Sequence, residues 1–130
     1  MLIFGHRFIK SVSFYHITDI DAIIHTPPSS TLFLEFKEEN LDIINHLQEN
    51  SINFALEVHN ITDAIYASAL ECSYIVVNKK IMKSVQNIAE SYIFDAKILV
   101  LIDNEKDIEE IGILGIDGVL FSNAIVKISS

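Results

Sequence analysis

With 130 residues, 50% of them hydrophobic and 21% charged, the chain has the length and composition of one globular domain with a real core. A net charge of −9 argues against wrapping a nucleic-acid backbone or adhering to an anionic membrane, since both need clustered Lys and Arg. One cysteine, Cys72, excludes an internal disulfide and a cysteine metal cluster.

Leu2-Ile3-Phe4 is too short for a signal-peptide core and runs into Gly5, His6 and Arg7. No apolar run approaches the roughly 18 residues of a membrane helix. The cytoplasm is the expected compartment.

Met1 to Lys10 reads as an N-terminal arm, a short edge strand or a docking segment. Ser11 to Ile17 reads as a strand. Thr18-Asp19 caps a short helix running to about His25, and Pro27-Pro28-Ser29-Ser30 is a loop. Thr31 to Phe36 is the next strand. Glu38 to Glu49 follows as an amphipathic helix with Leu41, Ile44 and Leu47 inward. Asn53 to Val58 is a strand. Thr62-Asp63 opens a helix running to about Glu71, whose Ala64, Ala67, Ser68 and Ala69 allow close packing on a sheet. Cys72, at its end among apolar neighbours, reads as a buried structural thiol. Tyr74 to Val77 is a strand, and Lys80 to Ile93 a helix with Ile81, Val85, Ile88 and Tyr92 on one stripe. Lys97 to Ile102 is a strand and Glu105 to Leu114 a helix.

Gly115 then gives a helix stop, because glycine enters the left-handed region without a Cβ clash. Asp117-Gly118 is a turn dipeptide. Val119-Leu120-Phe121 is a short apolar run, expected of a parallel strand covered on both faces by helices. Ser122 and Asn123 are N-cap residues for a helix starting at Ala124. The full stretch, G-I-D-G-V-L-F-S-N-A-I-V-K, resembles the end of the phosphate-binding (βα)8 barrels of the tryptophan synthase alpha subunit type. In that family the backbone N–H groups after the last strand hold a substrate phosphate. The resemblance implies that role for Ser122, Asn123 and Ala124. The chain departs from the family at two places: Ser122 replaces a small glycine, and Leu99-Val100-Leu101-Ile102-Asp103 replaces a glycine-rich loop.

Asn53 to Ile81 aligns without gaps on Lys97 to Ile125, mainly as an apolar pattern, which suggests a repeated (βα)2 unit. The expected class is α/β, with about six parallel strands alternating with helices in a single domain. Two arrangements fit: an open doubly wound sheet, or a partial (βα) barrel whose edges a homodimer would cover.

Ligands of such sheets bind at the carboxyl ends of the strands. The residues expected there are His16, Glu35, Lys37, Glu57, His59, Asn78, Lys79, Asp103, Ser122 and Asn123. Glu57 and His59, two apart, share a side if the strand continues, as an acid/base pair or as two metal ligands. Lys79 or Lys80 follows an apolar strand, the setting of a Schiff-base lysine. Glu57, His59, Lys79 and Asp103 are the candidate catalytic residues. His6, His25 and His46 read as surface or loop residues. Asp19-Ile20-Asp21 with Glu35-Phe36-Lys37 resembles the D…E-x-K pattern of Mg²⁺-dependent restriction-like nucleases, provided that Ile20 to His25 is a strand.

No glycine-rich dinucleotide loop, P-loop or nucleophile elbow is complete. The leading expectation is a non-catalytic or degenerate barrel-derived module that works through self-association or a protein partner. No cofactor or resident metal is expected, and neither nucleic acid nor membrane is an expected partner. The alternatives are binding of a small phosphorylated ligand, a lyase or isomerase reaction at the strand ends, and, remotely, the nuclease.

Overall fold

A computed structural model describes residues 1–128. Eight strands form one sheet: β1 (Leu2–Phe4), β2 (Phe14–His16), β3 (Thr31–Glu35), β4 (Phe54–Glu57), β5 (Tyr74–Val77), β6 (Lys97–Ile102), β7 (Gly118–Phe121) and β8 (Ile125–Lys127). All neighbours are parallel, in the order β1-β7-β6-β5-β4-β3-β2-β8. Four helices connect them: α1 (Leu41–Glu49), α2 (Ile61–Ala69), α3 (Met82–Ser91) and α4 (Ile108–Ile113). No helix among the described residues is long and apolar enough to cross a membrane.

The sheet curls into a half-barrel. Only a 3-10 turn, Ser122–Ala124, separates β7 from β8, yet β8 stands at the far flank, paired to β2. The curl also brings β1 close to β2: Phe4 and Phe14 meet edge to face at 5.0 Å, and both touch Tyr74 on β5.

Strand residues alternate between two cores, because successive side chains leave opposite faces. Leu32, Leu34, Phe54, Leu56, Ile75, Val77, Ile98, Val100 and Val119 pack outward with the helix residues Ile44, Leu47, Ala64, Ala67, Val85, Ala89 and Ile111. Phe4, Phe14, Phe33, Ala55, Val76, Leu99 and Leu120 pack inward on one another, with Tyr74, Leu101 and Ile125 beside them. No residue of α1 to α4 belongs to this inner core. The inner face of β7 is thus covered by other strands rather than by a second helix layer, and the arrangement is not doubly wound.

Each helix ends on a residue in the left-handed region: Ser51, Glu71, Ile93 and Gly115 at φ 54°, 64°, 53° and 75°. Gly115 does what its sequence position predicts. Ile93 does not fit so easily, since a β-branched residue is strained there. Helix α2 is capped by Asn60, whose Oδ1 accepts from the Asp63 N–H at 2.8 Å. Helix α3 carries the buried Gln86. Its amide clasps Asp117, with Asp117 N–H donating to Oε1 at 3.0 Å and Nε2 donating to Oδ1 at 3.2 Å. Asp117 Oδ2 then accepts from the Ile98 N–H at 2.9 Å, tying the entries of β6 and β7 to α3.

Three sequence expectations are corrected. The strand count is eight, not six. The strand expected from Ser11 to Ile17 is confined to Phe14–His16. The helix expected from Ala124 is instead the 3-10 turn followed by β8, because Ile125 and Val126 are β-branched and β2 offers them a pairing edge. Ile20 to His25 is, as expected, a short helix, a 3-10 helix capped by Asp19, so the strand and hairpin that the nuclease pattern requires do not form.

Candidate metal centre at the carboxyl mouth

The alternation that fills the barrel interior also builds its mouth. Two residues beyond the last inner-core residue of six strands comes a polar side chain: His16 after Phe14, Glu35 after Phe33, Glu57 after Ala55, Asn78 after Val76, Asp103 after Leu101 and Ser122 after Leu120. A polar layer therefore caps an apolar plug at the carboxyl ends of the strands.

One cluster lies over β3 and β4. Glu35 and Glu57 are register partners, and His59 lies two residues past Glu57. One ligand atom from each of Glu35, Glu57 and His59 lies within 4.8 Å of the other two. His59 Nε2 and Glu35 Oε2 are already 3.8 Å apart. Donors around a single first-row ion, each about 2.1 Å from it, sit about 3–4 Å apart, so small rotamer adjustments would close the set. Two carboxylates and one imidazole suit Mn²⁺ or Zn²⁺ and leave coordination positions open. Burial pushes the Glu57 carboxyl above its usual range; His59 opposes that shift and Glu35 adds to it. A cation would supply the countercharge that this pair of carboxylates lacks.

A second cluster lies over β1, β6 and β7. His6 Nε2 meets Glu105 Oε2 at 2.6 Å, and Arg7 approaches the same oxygen at 3.8 Å. The His6 hydrogen bond, aided by Arg7, holds the Glu105 carboxyl below its usual range. The Ser122 hydroxyl donates to Asp103. The Asn123 amide donates to the Gly5 carbonyl at 2.9 Å. Gly5, His6, Arg7, Asp103, Asn104, Glu105 and Phe121 line a shallow cavity of about 360 Å³.

The expected site residues thus fall into separate groups. Glu57 and His59 come together with Glu35. Asp103 joins Ser122. Lys79 stands apart, its ammonium 2.9 Å from Asp107. That hydrogen bond raises the Lys79 pKa, whereas a Schiff-base lysine needs it lowered. Ser122, Asn123 and Ala124 form a single 3-10 turn rather than the start of a helix, and the Asp103 carboxylate beside Ser122 opposes a phosphate. Cys72 is buried as expected. Its Sγ lies 3.3 Å from the Ala67 carbonyl, and burial pushes the thiol up to about 12.

Two residues of the mouth escaped the sequence reading. His6, read as a surface residue, has a side chain only 10% exposed. Lys127 was placed in a helix and lies on β8, paired in register with His16. No strand period marks His6, because Gly5, at φ 95°, breaks the alternation after Phe4. No local signal marks Lys127, because its neighbours are set by the curl.

Comparison with protein-family models and with curated proteins returned no match.

Proposed function

We propose that this protein binds a divalent cation at Glu35, Glu57 and His59, and that the resulting centre is a ligand-binding site at the mouth of the half-barrel. The observation that carries this reading is the convergence of three metal-type donors from two adjacent strands within 4.8 Å. The position supports it, since the carboxyl ends of parallel strands are where such folds place ligands. The phosphate-site reading of Ser122, Asn123 and Ala124 has less support, for the reasons given by their contacts. Titration of the metal-free chain with Mn²⁺ and with Zn²⁺ by calorimetry tests the proposal. One equivalent should bind, and His59→Ala should weaken binding by about tenfold or more. Undiminished binding in His59→Ala would remove the centre from this cluster.

A second reading is self-association, and the end of α3 favours it. Tyr92 and Ile93 are 77% and 83% exposed, and Ile93 holds a strained positive φ. They border a groove of about 640 Å³ that Ile65 and Phe94 also line. A second copy of this chain, seated on that groove, would bury both side chains. On this reading the wild type is dimeric at micromolar concentration and Ile93→Asn is monomeric. The substitution should also stabilise the fold by about 1 kcal/mol, as Asn tolerates the left-handed region. Sedimentation at matched concentrations checks both chains, and a monomeric wild type ends this reading.

A further inference from the structure

The mouth has a basic wing beside its acidic centre. Lys127 is the register partner of His16, and His16 is the register partner of Phe33. Two residues beyond Phe33 stands Glu35, the register partner of Glu57, and two beyond Glu35 stands Lys37. Ile125, two before Lys127, packs on the inner core, as do Phe14 and Phe33. The period of two therefore sets Lys127, His16, Glu35, Lys37, Glu57 and His59 on the same face, over the adjoining strands β8, β2, β3 and β4. Lys37 itself is in extended backbone, at φ −158° and ψ 157°, so the alternation continues through it.

This grouping runs against the charge of the chain, which holds 18 acidic residues and only 9 Lys and Arg. Neither lysine has a carboxylate within ion-pair distance among the described residues, whereas Lys79 is paired to Asp107. His16 lies near enough to sense both lysines and Glu35. Burial, then Lys127, lowers its pKa, and its ring offers a hydrogen bond.

Resting on the metal-centre reading, we infer that the ligand is a small oxyanion, a carboxylate or a phosphate ester, that fills the open positions of the cation and is held from the other side by Lys127 and Lys37, with His16 beside them. A cation with three protein donors recruits oxygen ligands. Two ammonium groups without carboxylate partners offer the complementary charge. The same pair disfavours a neutral or cationic ligand, because both lysines would then face the bound ion without a countercharge.

The test uses the full chain loaded with Mn²⁺, titrated with inorganic phosphate and, separately, with malonate. Both anions should bind the loaded protein and neither the metal-free one, and the tighter of the two identifies the class. The Lys37→Ala/Lys127→Ala double variant should lose about tenfold in anion affinity while its Mn²⁺ affinity stays within about threefold. Lys10→Ala/Lys80→Ala removes the same charge elsewhere and should leave anion binding unchanged. Both lysines of the wing are exposed, so the variants keep the fold, which circular dichroism verifies. Anion binding that ignores Mn²⁺, that is absent from the loaded wild type, or that survives intact in Lys37→Ala/Lys127→Ala overturns the inference while leaving the metal centre standing. Failure of Mn²⁺ to bind at all instead removes the centre itself.

Discussion

Replacing Glu57 by Gln is expected to abolish cation binding and, in the absence of metal, to make the protein more stable. The first effect follows from geometry. Glu57 is the middle donor of the cluster, in register with Glu35 and two residues from His59. An amide keeps the shape and removes the charge, so affinity for Mn²⁺ should fall by about a hundredfold or more, beyond what outer-shell changes cost. The second effect follows from burial. The Glu57 pKa lies above its ordinary 4.5 in the folded chain, chiefly through desolvation. The unfolded chain therefore gives up this proton more readily than the folded one. Folding is penalised as pH rises through the raised pKa, and the penalty is complete above it. Below about pH 4.5 both states hold the proton and the penalty vanishes. Glu57→Gln should thus melt higher than wild type at neutral pH, by less than about 1 kcal/mol once solvent screening of a half-exposed group is allowed for. The difference should disappear near pH 4, as about the lower end of that window. A variant less stable than wild type at neutral pH would show Glu57 to be a structural residue instead.

Gly118→Val, at a buried position, is expected to cost about 3 kcal/mol or more. A Cβ at Gly118 would lie 2.6 Å from the Leu2 carbonyl oxygen, 2.7 Å from Leu2 Cβ and 2.9 Å from a Leu99 methyl. The nearest atom is backbone and cannot rotate away, so β1 must leave β7, and with it goes Phe4 from the inner core. Gly112 in α4 is the control. Its Cβ would meet only Met1 Cε at 3.5 Å, so Gly112→Ala should be tolerated and stabilise by about 0.5–1 kcal/mol through helix propensity. Denaturant midpoints of the two variants make the comparison, and amide exchange at Leu2 to Phe4 reports β1 directly. A Gly118→Val chain with wild-type protection at those amides would contradict this account.

The strands from Thr31 to Phe121 were legible because each is a compact apolar run set off by turn or cap residues. Tyr74–Val77 and Lys97–Ile102 occur where the sequence places them. The repeat of Asn53 to Ile81 on Lys97 to Ile125 anticipates the way β4 and β5 echo in β6 and β7. The curl was not legible. A residue such as Val76, buried against other strands, looks no different in sequence from Val77, buried against a helix. The strand β8 was misread for a related reason: Ser122-Asn123 is a strong local cap signal, but the pairing of Ile125 with Phe14 is decided by distant chain. The same divide runs through the site. Glu57 and His59 could be paired from their spacing alone. Their grouping with Glu35 depends on the register of β3 on β4, and that of Lys127 with His16 on the closure of the sheet. The pairing of Lys79 with Asp107 depended on where α4 begins, which spacing within β5 does not contain.

The closure of the curl has a kinetic side. Leu2 meets Gly118, and Phe14 meets Ile125, across almost the entire described chain. Entropy opposes such distant pairings until the intervening units are compact. The strands from β2 to β7 pair with their sequence neighbours and can consolidate first. During synthesis Phe4 emerges early, but β1 has no strand to pair with until β7 leaves the ribosome. For that interval Phe4, a residue of the eventual interior, remains open to solvent and to other chains. The sheet is therefore expected to close only after β7 and β8 have been made, and β1 to depend in the meantime on whatever keeps it from associating.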